Sequence, residues 1–587
     1  MKNFIKYTFA TVLGSIITFF LVLIIVFAII GSISSSQESI VNVKKNTILE
    51  VSLSSGVVDR EPMNPLEGFS FDDENSIKGL NKIIKAIKAA KEDDNIKGIY
   101  LNAGSFSVGG LATPEAIRNA LLDFKSSGKF IYSYAEYYGQ KSYYLASVSD
   151  KIFVNPAGGV NIKGLGAQLM FFKNAMDKLG VEMQIIRGPN NKFKSAVEPF
   201  MYDKMSEANR EQMNVFLGSI WGNMVKQITD SRSITVEQFN QIADSLWADN
   251  PYKAKELKIV DELAYWDEVK AELMQKVDVT KEKDLELLSL ADYASTVKKK
   301  NPTAKKKIAV IYAVGEIKSG EGNDEVIGSE RIAKAVAKAR KDSSIVAIVL
   351  RVNSPGGSAL ASEIMWRELV LAKEVKPLVV SMGNYAASGG YYISCMANKI
   401  VAEPNTLTGS IGVFGMIPNA QKLMNEKLGI TTDEVSTNAN GIIGAFKPLT
   451  PYQKLSIQKG VVRIYNTFVN HVAEGRGMTP ESVDKIGQGR VWSGTNAIEI
   501  GLVDELGGLD RAIDIAAEMA NVKEYKIKEL PKRSNPFEEI MKQFGKSVKA
   551  DVIESELGST YKYYNYFKTI SNMEGTQARL PFLIEMN

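Results

Sequence analysis

The sequence predicts an α/β protein: two tandem copies of one domain behind an apolar N-terminal helix. Three observations predict it. Residues 7–37 carry no charge, and Ala10 to Gly31 is almost wholly apolar. The chain beyond them matches itself at a separation of 248–249 residues over several segments. Each copy alternates short β-rich runs with helical stretches, the signature of a largely parallel sheet.

The apolar run comes first. About 20 residues at about 1.5 Å each cross a hydrocarbon core, whereas a cleaved leader has an apolar core of only about 7–15. A retained anchor over 1–33 is therefore expected, although the Ser-rich stretch after Gly31 leaves cleavage open. Lys2 and Lys6 precede the span, and Lys44 and Lys45 follow it. Positive-inside logic puts a short N-terminus in the cytoplasm and the bulk across the membrane. In a double-membraned bacterium this means the inner membrane, with the bulk periplasmic.

The duplication is the second element. Ile96-Lys-Gly-Ile-Tyr-Leu101 matches Ile345-Val-Ala-Ile-Val-Leu350, and Asp150-Lys-Ile-Phe-Val-Asn-Pro156 matches Asn398-Lys-Ile-Val-Ala-Glu-Pro404. Tyr143-Tyr144 matches Tyr391-Tyr392, and Ile259-Val-Asp-Glu-Leu263 matches Leu502-Val-Asp-Glu-Leu506. The copies span 34–297 and 308–530, joined at 298–307 by a Lys-rich hinge. A Tyr-rich tail, 531–587, stands outside the repeat, and its role is not readable from its residues. In copy 1 a strand at Ile48–Val51 leads to a helix with apolar Ile77, Leu80, Ile83, Ile84 and Ile87. In copy 2 a strand at Ile308–Tyr312 precedes Ile332, Ala335, Val336 and Ala339, and buried strands follow at Val346–Leu350 and Leu378–Val380.

Composition is that of a globular protein, 45% hydrophobic and 24% charged, and a net charge of +4 gives no footing for a nucleic-acid binder. The single cysteine, Cys395, rules out an internal disulfide and reads as a small buried residue. The single histidine, His471, excludes His-rich metal sites and reads as a helix-surface residue; no cofactor is expected.

Chemistry concentrates where the copies differ. Ser410, in Thr408-Gly-Ser-Ile-Gly412, aligns with Ile162, so only copy 2 carries this hydroxyl. Its flanking glycines allow close approach of a substrate backbone. Gly356-Gly357 follows a buried strand, a place where backbone N–H groups can face an oxyanion. A serine needs a base to become a nucleophile, and with His471 set aside a lysine must serve. Lys194 and Lys447 stand at matched Phe-Lys positions and both remain open. An ordinary lysine has a pKa of about 10.4, so about three units, or about 4 kcal/mol, must come from burial. Phe193, Ala196, Val197 and Phe200 give Lys194 an apolar frame.

Thr408-Gly-Ser-Ile-Gly412, Ser354-Pro-Gly-Gly357, Tyr385-Ala-Ala-Ser-Gly-Gly-Tyr-Tyr392 and Lys194-Ser-Ala-Val-Glu-Pro-Phe200 together resemble the long tandem form of the SppA family of signal peptide peptidases (protease IV, peptidase family S49). The resemblance runs from the apolar segment to about residue 525. It implies ClpP/crotonase-like domains, a membrane-bound homotetramer with an axial hollow, and a Ser/Lys dyad assembled between the halves. It makes Ser410 the nucleophile and Lys194 the general base, with Gly357 and Gly356 at the oxyanion. Substrates would be signal-peptide remnants and other extended apolar peptides. Ser388 is a rival nucleophile from the serine-bearing turn of ClpP proteases. That turn calls for a histidine about 25 residues on, which is missing here, so Ser388 is expected to cap or pack the helix of Tyr391 and Tyr392. Ser436 is a candidate to orient the lysine. Two other classes stay open: a catalytically silent, peptide-binding membrane scaffold, and an acyl-CoA enzyme of the crotonase type.

Overall fold

The structure, a computed structural model, describes residues 41–54, 56–61, 78–104, 106, 108–297, 301–533 and 576–579, with scattered residues of 6–21. Among these, no helix is long and apolar enough to cross a membrane. Most of the expected anchor, the first three linker lysines and the tail tyrosines lie outside the described residues.

Each copy builds its own sheet. The copy 1 sheet has six parallel strands in the order Glu262–Leu263, Lys151–Val160, Phe130–Tyr138, Ile96–Asn102, Thr47–Ser52, Leu287–Ser289. The copy 2 sheet repeats the plan with Lys399–Ala402, Leu378–Ala387, Ile345–Ser354, Lys307–Val314 and Lys526–Leu530, all parallel. Apolar β-branched runs such as Ile345-Val-Ala-Ile-Val-Leu350 suit strands buried on both faces. The expected strand at Leu378–Val380 extends to Ala387, because its second half pairs with Leu407–Gly409.

The helices follow the 3.6-residue pattern. Leu80–Glu92 buries Leu80, Ile83, Ala86, Ile87 and Ala90, and Ser329–Lys341 buries Ile332, Ala335, Val336 and Ala339. Two 26-residue helices correspond across the duplication, Glu207–Arg232 and Pro451–Arg476. Ser206 caps the first by accepting from Asn209 N–H, and Thr450 caps the second through a reciprocal box with Gln453.

A third sheet joins the halves. Its order is Val326–Gly328, Glu316–Lys318, Gly356–Ser358, Gln577–Arg579, Phe414–Asn419, Glu182–Arg187. Six residues of copy 1, Glu182–Arg187, pair antiparallel with Phe414–Asn419 of copy 2. Three residues of the tail, unreadable in sequence, occupy its centre. The cores also interlock: Ala387, Leu407 and Val491 of copy 2 pack in the copy 1 core.

Candidate active site

The site lies where the loop after Glu182–Arg187 meets the C-terminal ends of two copy 2 strands. That loop carries Lys194 and is clipped to the other copy by its own polar groups. Asn191 Nδ2 donates to the Val413 carbonyl at 2.8 Å, and Phe193 N–H donates to the Gln488 carbonyl at 2.9 Å. From behind, Gln212 Nε2 on Glu207–Arg232 donates to the Phe193 carbonyl at 2.9 Å. Gly489 presses on the loop so closely, at φ +85°, that a Cβ there would lie 2.4 Å from Lys194 Cβ. A Cβ on Gly412 would lie 3.3 Å from Lys194 Cδ. Two glycines thus make the slot that admits the lysine stem.

Lys194 is fully buried. Its Nζ lies 2.7 Å from Ser388 Oγ, 2.9 Å from Ser410 Oγ and 2.9 Å from the Ser410 carbonyl oxygen. Burial holds its pKa well below the usual lysine value. The expected apolar frame contributes, since Phe193, Val197 and Phe200 are all buried.

The two serines occupy different backbone settings. Ser388 sits at the sharp turn from strand Leu378–Ala387 into helix Gly389–Tyr392, at φ 55° and ψ −110°. Such a conformation is costly for a non-glycine residue and aims the side chain away from the strand. The capping role expected for Ser388 is corrected here. Its side chain makes no cap hydrogen bond, because the turn directs Oγ to Lys194 instead. Ser410 follows strand Leu407–Gly409 at φ 51°, and its N–H donates to the Arg490 carbonyl at 2.7 Å.

The Gly-Gly turn faces the same place. Gly357 has φ +154°, and a Cβ on it would lie 2.1 Å from the Ile317 carbonyl oxygen of the neighbouring strand. A Cβ on Gly356 would lie 2.8 Å from Gly389 N, so the turn abuts the residue after Ser388. Gly356 N–H is itself taken by Ser354 Oγ at 3.1 Å. Gly356 therefore supplies room rather than a donor, and the free-amide role expected of it does not fit.

The other candidates stand apart. Ser436 is exposed and donates to the Asn438 carbonyl at 2.6 Å. Its proposed part in orienting the lysine is thus corrected: the second hydroxyl on Lys194 is Ser410. Lys447 pairs with Glu434 and does not join either serine. His471 lies on the helix Pro451–Arg476, stacked on Trp366 at 3.5 Å with Nε2 3.0 Å from Glu363 Oε2, more enclosed than a surface position. In copy 1 the counterpart of Ser388 is Gln140. Its Oε1 accepts from Lys163 and Gly164 N–H at 3.0 Å each, so this half of the site is plugged. Sequence reasoning missed Gln212 and Gly489. The run Gly487-Gln-Gly-Arg490 was the available signal for the second.

A buried lysine amine within hydrogen-bond distance of two serine hydroxyls, beside a Gly-Gly turn, is the arrangement of a lysine-assisted serine hydrolase. Comparison with known proteins narrows the class. The model of Peptidase family S49 matches residues 123–280 and 371–523, and the chain belongs to that family. Protease 4 of Salmonella typhi is 37% identical over 90% of this chain and 86% of its own length. The chloroplastic serine protease SPPA of Arabidopsis thaliana is 33% identical over 92% of this chain and 78% of its own. Among solved structures, ClpP1 from Listeria monocytogenes matches 34% of this chain and 91% of its own, at 19% identity and a TM-score of 0.22. The protein is a serine peptidase of the tandem form. This sets aside the scaffold and acyl-CoA readings.

Proposed function

We propose that this peptidase is an endopeptidase with Ser388 as nucleophile, Lys194 as general base and Ser410 as the residue that holds the lysine. The observation that carries the reading is the set of groups around Lys194 Nζ. A neutral amine has two N–H donors and one lone pair. The Ser410 carbonyl can only accept, and Ser410 Oγ at 2.9 Å takes the second N–H. The lone pair then receives the O–H of Ser388, the shorter hydroxyl contact at 2.7 Å. The position of Ser388 beside Gly356–Gly357 supports the same choice. This departs from the expectation that Ser410 attacks.

In the reaction, Lys194 takes the proton of Ser388 as its Oγ attacks a peptide carbonyl. Gly357 N–H faces the oxyanion, and the lysinium gives its proton to the leaving amine. Water then cleaves the ester, with Lys194 again as base. The resemblance of the motifs supports ClpP/crotonase-like domains and signal-peptide remnants or other extended apolar peptides as substrates. The uncharged run at 7–37 supports a single-pass anchor in the inner membrane of a bacterium, with the bulk periplasmic. The family resemblance favours a homotetramer.

The nucleophile is tested by trapping. A peptide ester or β-lactone should leave its acyl group on tryptic fragment 374–399, which holds Ser388, and not on 400–422, which holds Ser410. Ser388→Ala should lower kcat/KM for a peptide by at least about 10³-fold. Ser410→Ala should keep measurable turnover with a displaced rising limb in its pH profile. An adduct on 400–422 sinks the assignment.

A further inference from the structure

The mechanism leaves one polar network unused, the carboxylate of Glu363 and its two partners. Glu363 lies on helix Ala359–Lys373, which starts right after strand Gly356–Ser358. Its partner Tyr392 is buried and ends the short helix Gly389–Tyr392, which starts at Ser388. Tyr392 Oη donates to Glu363 Oε2 at 2.5 Å, and Tyr392 N–H donates to the Ser388 carbonyl at 2.8 Å. His471 Nε2 lies 3.0 Å from the same carboxylate oxygen. The hydrogen bond from His471 holds the Glu363 carboxyl below its ordinary range. An ionised carboxylate only accepts, so both neighbours donate to it. The imidazole lies flat on Trp366, one turn along from Glu363, and edge-on to Tyr392. The two catalytic elements otherwise meet here through glycines. A Cβ on Gly389 would lie 2.8 Å from Ser362 Oγ, and one on Gly390 2.8 Å from the Ser354 carbonyl oxygen. A buried tyrosine hydroxyl needs some partner, and copy 1 shows that another would serve. There the matching residues are Glu115, Tyr144 and Gln227. Tyr144 Oη donates to Gln227 Oε1 on the long helix, and Glu115 accepts from Gln227 Nε2 at 2.8 Å and from Asn405 N–H of copy 2. Only in the copy with the serines does the carboxylate take the tyrosine itself.

We propose that Glu363, backed by His471, is a positioning residue of this peptidase. It ties the helix that starts at Ser388 to the helix that starts at the Gly-Gly turn, and so fixes the nucleophile relative to that turn. The proposal rests on the Ser388/Lys194 assignment above. Without the tie, the short helix is free to shift on its glycine contacts. Ser388 Oγ then moves relative to the carbonyl it attacks, and a misplacement of about 1 Å costs about 10²-fold in rate. Glu363 itself touches neither Ser388 nor Lys194, so its part is to hold and not to react.

The test uses the full chain with Glu363→Ala, Glu363→Gln, Tyr392→Phe and the double variant Glu363→Ala/Tyr392→Phe. With a short fluorogenic peptide, Glu363→Ala should lower kcat about 10- to 100-fold and leave KM within about twofold. Tyr392→Phe keeps the ring and loses only the hydroxyl, and it should show the same split. Glu363→Gln still offers an oxygen to Tyr392 Oη and should stay within about threefold of the wild type. The double variant should be no slower than the slower single one, because both changes cut one tie. Acylation by a β-lactone should slow in step with kcat, with the adduct on fragment 374–399. An unchanged kcat in Glu363→Ala and Tyr392→Phe, a loss carried by KM, or losses that add in full would overturn the proposal. A wild-type adduct on 400–422 would instead overturn the nucleophile beneath it.

Discussion

Lys194 is a lysine whose charge the fold disfavours. Its amine is enclosed with two hydroxyls and one carbonyl and has no carboxylate among its hydrogen-bond partners. Burial alone lowers its pKa. The linkage sign follows. Between the lowered folded pKa and about 10.4, the unfolded chain binds one proton more than the native one, so stability rises with pH at about 1.36 kcal/mol per unit. Lys194→Met removes that proton. The variant should therefore melt above the wild type near pH 7, with the gap closing towards pH 10 in parallel thermal melts. A gap independent of pH would mean that the lysine is charged in the fold. On the proposed assignment, peptide hydrolysis should rise with pH through the folded pKa, because only the neutral amine would accept the Ser388 proton. Lys194 was legible in the sequence through its apolar neighbours. Ser388 was visible in Ala386-Ala-Ser-Gly-Gly390 but set aside for want of a histidine. One lysine reaching two hydroxyls is a tertiary arrangement, and no spacing within copy 2 reveals it.

At the scale of elements, the site depends on backbones that approach where side chains would not fit. Gly489 at φ +85° leaves space for the Lys194 stem, and Gly409 at φ +74° turns the chain ahead of Ser410. Gly489→Ala places a methyl on Lys194 and forces a left-handed residue, at a cost of about 1–3 kcal/mol. Its effect should fall on kcat more than KM, since Lys194 moves and the Gly356–Gly357 turn does not. A raised KM with kcat intact would contradict that division. The parallel strands and amphipathic helices were legible because their apolar periods, two and 3.6, are local properties. The short strands Gly356–Ser358 and Gln577–Arg579 were not. They have no period of their own, and their partners lie far off in the chain.

The molecule as a whole is held together by buried polar contacts between its halves. Arg351 Nε of copy 2 donates to Asp59 Oδ1 of copy 1 at 2.6 Å, and the same guanidinium reaches Ser381 Oγ and the Met382 carbonyl. Removing one partner would strand a buried charge. Nearby, Glu115 of copy 1 accepts from Asn405 N–H of copy 2 at 3.1 Å, and Glu403 lies buried beside it. Burial, and after it the negative neighbour Glu115, raises Glu403 to about 8. A carboxyl with a raised folded pKa stabilises fully below its unfolded value of about 4.3. That contribution is lost as pH climbs through the folded pKa. Glu403's own contribution to the melting temperature should therefore decline between about pH 5 and 8, so Glu403→Gln, neutral throughout, should gain on the wild type across that window in parallel melts. An unchanged gap would show that the pair ionises without penalty.

The sequence by itself determined two copies, an α/β plan, the apolar leading run and the peptidase family, because repetition, apolar period and motif order are written along one chain. It also confined the base to a lysine, since the single histidine stands elsewhere. Which hydroxyls that lysine meets, and which strand lies against Gly357, was decided by the tertiary structure. The Lys194 loop is clipped to copy 2 by Asn191 and Phe193, and it brings one amine between serines 22 residues apart in sequence. The tail reaches Gly357 only through a strand pairing across more than two hundred residues. Neither contact has a local energetic signature, because each forms only once both copies have folded and packed together.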